Sequence, residues 1–186
     1  AAEAGKRKGK RIVTTAIEHE SVLQSVDELE KQGFEVIRLM PDKQGRITEQ
    51  QVFDAVNSDT ILVSMMYVNN EVGSIMPVKS IKKAVKRANA PALIHIDCVQ
   101  AFGKLVVKPS KLGADLVTVT AHKIHGPKGV GALYLKKGTR ILPRVFGGEQ
   151  EKKLRPGTEA IPLIAGFGVA ADLIPDLKKQ SEKIKE

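Results

Sequence analysis

The stretch TILVSMM, Thr60 to Met66, runs seven residues without a charge. A continuous apolar run of this length reads as a strand buried on both faces, and such a strand needs helices on either side of its sheet. The rest of the chain supplies both partners. RIVTT (Arg11–Thr15), FEVIRL (Phe34–Leu39), LIHID (Leu93–Asp97), LVTVT (Leu116–Thr120) and VGALYL (Val130–Leu135) are further strands. Amphipathic segments lie between them. Ser21–Lys31 places Val22, Leu23, Val26 and Leu29 on one face and closes at Gly33. Thr48 reads as the N-cap of a short helix through Asn57, and Pro77–Asn89 turns Val78, Ile81, Ala84, Val85 and Ala88 inward.

Strands alternating with helices define an α/β fold with a mostly parallel sheet and flanking helices. The last two strands are separated by nine residues rich in glycine and proline, too few for a crossover helix. They are therefore expected to be antiparallel neighbours. The predicted strand order is 6-5-4-3-1-2, with only the last strand antiparallel. Residues 1–160 are expected to form one domain. From Ile161 a long amphipathic helix, kinked at Pro175, is expected to lead toward a further, absent domain.

Composition narrows the function classes. An apolar content of 42% over 186 residues supports one sizeable core. No apolar run approaches the length of a membrane helix, and AAEAGKRKGKR has no apolar signal core after its basic residues. A soluble, cytoplasmic protein is expected. The single Cys98 forms no intrachain disulfide, and the four histidines lack HExxH spacing, so metal binding is not indicated. The net charge of +9 raises nucleic-acid binding as a different class of function. Lys6, Arg7, Lys8, Lys10 and Arg11 stand against Glu3 alone at the N-terminus, while the remaining basic residues are interspersed with acids. No aromatic residues interleave with the basic runs to stack on bases. A solvated basic surface is the better account.

Ligands of parallel sheets bind beyond the carboxyl ends of the strands. Glu18-His19-Glu20 comes after the first strand, and Tyr67 with Asn69-Asn70 after the third. Asp97 ends the fourth, with Gln100 three residues on; Thr120 ends the fifth, before His122-Lys123. Each has an ordinary alternative: His19 a helix start, Asn70 a turn former before Gly73, Asp97 a cap, Lys123 a surface charge. Four strand ends carrying such groups together point to a site. Gly126-x-x-Gly129-x-Gly131 leads into a strand and is not a dinucleotide fingerprint, and no GxSxG elbow is present. A lysine, an aspartate, a histidine and an asparagine suit pyridoxal phosphate, which needs an amine, a carboxylate for its ring nitrogen, a flat group over the ring and donors for its oxygens.

The stretches TTAIEHESVL, TILVSMMYVNNEVG, HIDCVQAFGK, AHKIHGPKGVGALY and GGEQEKKLRPGTEAI, spanning Thr14 to Ile161, resemble the large domain of cysteine desulfurases. These are fold-type I enzymes of the class V aminotransferase group; the related selenocysteine lyases are similar too. The resemblance implies that residues 1–160 are a cofactor-binding large domain, incomplete at its N-terminus, with pyridoxal 5′-phosphate as cofactor. It implies that Lys123 holds the cofactor's aldehyde and moves protons; its amine must be neutral for both, which calls for burial. Asp97 matches the partner of the ring nitrogen, Gln100 the donor to the phenolic oxygen, and His19 the imidazole on the ring face and a proton shuttle. Asn70 matches an amide near the phenolic oxygen and substrate, Thr120 and His122 phosphate donors, and Thr158 a residue reaching the phosphate of the other subunit of a homodimer. His125 and Lys128 are left structural or solvent-facing.

The chain also departs from the family. The nucleophilic cysteine of desulfurases lies on a loop beyond Glu186, and Cys98, next to Asp97, reads as a small buried thiol. No Gly-Ala-Thr phosphate turn precedes Arg11, Glu149 replaces a family glycine, and Arg155 is given no substrate role. The implied function is removal of sulfur from L-cysteine, giving alanine and an enzyme persulfide for a sulfur-acceptor protein in iron–sulfur cluster or thionucleoside assembly. Alternatives are a selenocysteine lyase or another lyase of the same fold, and, from another class, a non-catalytic anion- or nucleic-acid-binding module. This stretch alone is expected to be inactive.

Overall fold

The computed structural model describes residues 1–177. Six strands form one sheet in the order β2-β1-β3-β4-β5-β6: β1 Arg11–Thr15, β2 Glu35–Leu39, β3 Thr60–Met66, β4 Leu93–Asp97, β5 Leu116–Thr120 and β6 Gly131–Leu135. This is the expected order read from the other edge. All neighbours are parallel except β5 and β6, which pair antiparallel from Leu116 opposite Leu135 to Thr120 opposite Gly131. Every residue of β3 is buried.

Helices cover both faces. α3 (Glu49–Ala55) and α4 (Val78–Arg87) belong to one side, where Val52, Val78, Ile81 and Ala84 join Val13, Val63, Met65, Ile94, Ile96 and Val117 in the larger core. α1 (Ala2–Gly5) and α2 (Glu20–Lys31) belong to the other, where Ala2, Val26 and Phe34 join Ile12, Ile61 and Leu62. Ile12 and Val13 enter opposite cores because successive strand residues face opposite sides. Thr48 caps α3 as the sequence suggested, and the structure extends this to a capping box: Gln51 N donates to Thr48 Oγ1 at 3.2 Å, while Gln51 Oε1 accepts from Thr48 N at 2.9 Å.

α1 and α5 (Pro109–Leu112) were not anticipated, since four residues are too few to show a helical period. α6 (Ile161–Asp172) corrects another expectation. It is apolar on all sides rather than amphipathic, with Asp172 its sole charge and Ile161, Ile164 and Val169 exposed. It also ends before Pro175 instead of kinking there, because the residue preceding a proline is pushed out of helical geometry. The rest of the expected helix lies in 178–186, outside the described residues. No helix among the described residues is long and apolar enough to cross a membrane.

Candidate active site

The parallel strands β1, β3, β4 and β5 end at the same edge, so the residues just beyond their ends are brought together. A cleft of about 380 Å³ opens there. It is lined by His19 from the β1 end, Asn70 beyond β3, Asp97 and Gln100 at the β4 end, and Thr120, His122 and Lys123 at the β5 end. Seven of the eight residues singled out from the sequence thus share one cleft. Thr158 does not line it, and sits exposed in the segment before α6.

His19 is both the helix start and a cleft residue. As N-cap of α2 its Nδ1 accepts from the backbone N–H of Ser21 at 3.2 Å and lies 2.9 Å from Ser21 Oγ. A ring nitrogen that accepts from a backbone N–H is unprotonated, so the neutral ring carries its proton on Nε2. Asp97 is 8% exposed, and its Oδ1 accepts from Val99 N at 2.8 Å. Its Oδ2 has no hydrogen-bond partner among the described residues. β4 is tied to both neighbours one pleat earlier: His95 Nδ1 lies 2.8 Å from Ser64 Oγ on β3, and Nε2 lies 2.7 Å from Thr118 Oγ1 on β5. Asp97 shares the face of His95, so this bridge fixes the strand that presents it.

The Thr120 hydroxyl donates to the Val130 carbonyl at 3.2 Å and lies 3.0 Å from His122 Nδ1; rotation about its Cβ–Oγ bond can redirect it to an anion. Lys123 stands in a short 3₁₀ turn, Ala121–Ile124, between the buried anchors Ala121 and Ile124. It is exposed, so the burial expected of it is not supplied by these residues. The turn after it is sterically demanding. A Cβ on Gly126 would sit 3.0 Å from the Ala121 carbonyl oxygen and 3.1 Å from Ala170 Cβ of α6, and Gly129 holds φ at +88°.

Cys98 is fully buried, and burial, with the charge of Asp97 a lesser cause, pushes its thiol up to about 12. It is a packing residue rather than a thiolate. Arg155 does not line the cleft and donates to the Pro156 carbonyl. The sequence placed Glu18 after the first strand and Ser21 at a helix start but gave neither a role; Ser21 holds His19, and Glu18 is a buried carboxyl behind the cleft. A larger cavity, of about 970 Å³, lies beyond Lys123 and is walled by apolar residues such as Phe102, Leu105, Pro127 and Val169. It lacks the carboxylate and the row of donors, so the chemistry favours the smaller cleft.

An α/β sheet that gathers an amine, a buried carboxylate and hydrogen-bond donors at the carboxyl ends of its parallel strands is of the class that holds a ligand at that edge. The chain belongs to the aminotransferase class-V family, whose pattern matches it over residues 1–186 and whose members use pyridoxal 5′-phosphate. It is 43% identical over 167 residues to cysteine desulfurase IscS 1 of Archaeoglobus fulgidus, covering 90% of this chain and 43% of that protein. It is 45% identical over 170 residues to cysteine desulfurase IscS of Methanosarcina thermophila, covering 91% and 42%. A solved NifS-like protein superposes with a TM-score of 0.91 at 40% identity, over 99% of this chain and 50% of that one. SspA in complex with cysteine superposes with a TM-score of 0.87 at 35% identity, over 98% and 54%. The chain spans less than half the length of the curated relatives it matches.

Proposed function

We propose that the whole protein is a pyridoxal-phosphate cysteine desulfurase, which takes sulfur from L-cysteine, leaves alanine and passes the sulfur through an enzyme persulfide to an acceptor protein. The observation that carries this reading is Asp97, a buried carboxylate with one oxygen left unpartnered in the cleft that Lys123 also lines. The kinship with two IscS proteins and the cysteine held by the SspA neighbour support the substrate.

The donor set fits the cofactor. A buried carboxylate suits a protonated ring nitrogen, an amine suits an aldehyde, and an imidazole, carboxamides and a hydroxyl suit a flat aromatic ring with anionic oxygens. Bound in this cleft, pyridoxal phosphate supplies an electron sink for the bond broken at the substrate's α carbon. Asp97 holds the proton on the ring nitrogen, and Lys123 fixes the aldehyde carbon and then moves a proton at the α carbon. His19 covers the ring and shuttles protons through Nε2. Gln100 and Asn70 serve the phenolic oxygen, with Asn70 close to the substrate as well, and Thr120 and His122 serve the phosphate. Thr158 reaches the phosphate of a second subunit, which makes the enzyme a homodimer, and its setting is cytoplasmic. Residues 1–160 act as the cofactor-binding domain and 161–186 lead toward another.

The test is the whole protein given L-cysteine with a sulfur acceptor. Alanine should appear in step with transferred sulfur. Cofactor binding without alanine, or turnover of selenocysteine alone, would overturn the substrate assignment. In the same assay Cys98→Ala should stay within about twofold of the parent, since a buried neutral thiol offers no nucleophile. A folded Cys98→Ala protein without turnover would contradict that.

A further inference from the structure

Two carboxyls are buried among the described residues, Asp97 and Glu18, and both lie at the carboxyl edge of the sheet. Cofactor binding and proton transfer use only Asp97. Glu18 sits in the turn between β1 and α2, 5% exposed. Its Oε1 accepts from the Thr15 hydroxyl at 2.7 Å and from Met66 N at 3.0 Å. Met66 lines the cleft and pairs in register with Asp97, so Glu18 is pinned one strand from Asp97 behind the cleft wall. Its Oε2 is buried without a hydrogen-bond partner among the described residues. A glutamine would cap Met66 N equally well, yet this position carries a titratable group. Ionised, it would be a buried charge with one oxygen unsatisfied; protonated, it is neutral.

We propose that Glu18 and Asp97 act as a carboxyl pair at the cleft edge: Glu18 holds a proton while the cleft is empty, and seating a cationic pyridinium ring on Asp97 releases that proton to solvent. The step breaks only the Glu18 O–H bond. It leaves two negative charges near the ring nitrogen, which makes that nitrogen more basic than Asp97 alone would. Burial, and to a lesser extent Asp97, push the Glu18 carboxyl up to about 7, while Thr15 and Met66 N pull it down. Of the titratable groups close by, Asp97 on β4 is the second carboxyl, Cys98 beside it stays a neutral thiol, and His19 is next to Glu18 in the chain. Asn69, from the loop after β3, places its amide on the Ile17 carbonyl and the Met66 sulfur and brings no charge.

The inference rests on the cofactor reading, and the experiment separates the two. Pyridoxine 5′-phosphate keeps the ring nitrogen and the phosphate but has no aldehyde, so Lys123 chemistry does not enter. Calorimetric titration of the cofactor-free whole protein at pH 7, in buffers of different ionisation enthalpy, counts the protons released. The parent should release more of a proton than Glu18→Gln, by up to roughly half, and its affinity alone should gain an extra rise with pH through the neutral range. Should Glu18→Gln fail to fold, difference infrared spectra of the parent decide: the buried carboxylic-acid band should fall when the analogue binds. Equal proton release in parent and variant, or an unchanged acid band, overturns the coupling while leaving the cofactor site standing. Absence of saturable binding overturns both.

Discussion

Lys123→Ala in the whole protein should abolish borohydride fixation of pyridoxal phosphate and lower turnover by at least about a thousandfold, because in the proposed enzyme one side chain supplies both the covalent tether and the proton transfer. The loss is chemical rather than structural. The turn that carries the lysine is held by the buried side chains of Ala121 and Ile124 and by the glycine that lets α6 approach, none of which the substitution touches. An exposed side chain of this kind changes stability by no more than about 0.5 kcal/mol. Lys104 is the natural control. It also lines the cavity beyond Lys123, but its Nζ donates to the Gln100 carbonyl at 3.2 Å, so Lys104→Ala should label as the parent does. Persistent borohydride labelling in Lys123→Ala would move the tether to another lysine and undo the assignment of the site. The measurement is mass spectrometry of the reduced protein, paired with its absorbance spectrum.

The sheet was legible because its signal is local and repeated. Four of the six strands, β1, β3, β4 and β5, match the sequence reading residue for residue, and the nine-residue gap before VGALYL was enough to make the last pair antiparallel. The clustering of seven cleft residues was legible for a geometric reason: parallel strands deliver the residues beyond their carboxyl ends to one edge. The features that could not be read depend on contacts far apart in sequence. Glu18 looks like any surface acid in EHE until Met66 N, 48 residues on, takes its oxygen and the sheet removes its water. Lys123 was expected to be buried because its chemistry requires a neutral amine, but burial depends on what covers the cleft, which no local pattern encodes. The nature of α6 was misread for another reason. An apolar helix has no polar face to reveal its orientation, so its twelve residues gave a length without a boundary.

Asp97→Asn tests the electrostatics of the cleft with little change of shape. The amide oxygen can keep the 2.8 Å acceptor contact to Val99 N that closes the turn after β4, and the Ser64, His95 and Thr118 bridge that fixes the strand is untouched. The change falls on the other atom. Oδ2 becomes an NH2 group, which donates and carries no charge, so it favours a ring nitrogen that presents a lone pair over one that holds a proton. The opposite-charge effect that keeps that proton in place is lost. Cofactor should therefore still bind, with absorbance and borohydride fixation retained through Lys123, while turnover falls by a factor on the order of a hundred or more, about 2.7 kcal/mol of barrier. The two variants thus differ in kind: one loses the tether, the other keeps it and loses the charge that makes the ring effective. A ring-nitrogen signal in 15N-labelled cofactor should report the proton in the parent and its absence in Asp97→Asn. Near-parental turnover, or an unchanged nitrogen signal, would mean that the buried carboxylate of β4 faces some other part of the ligand.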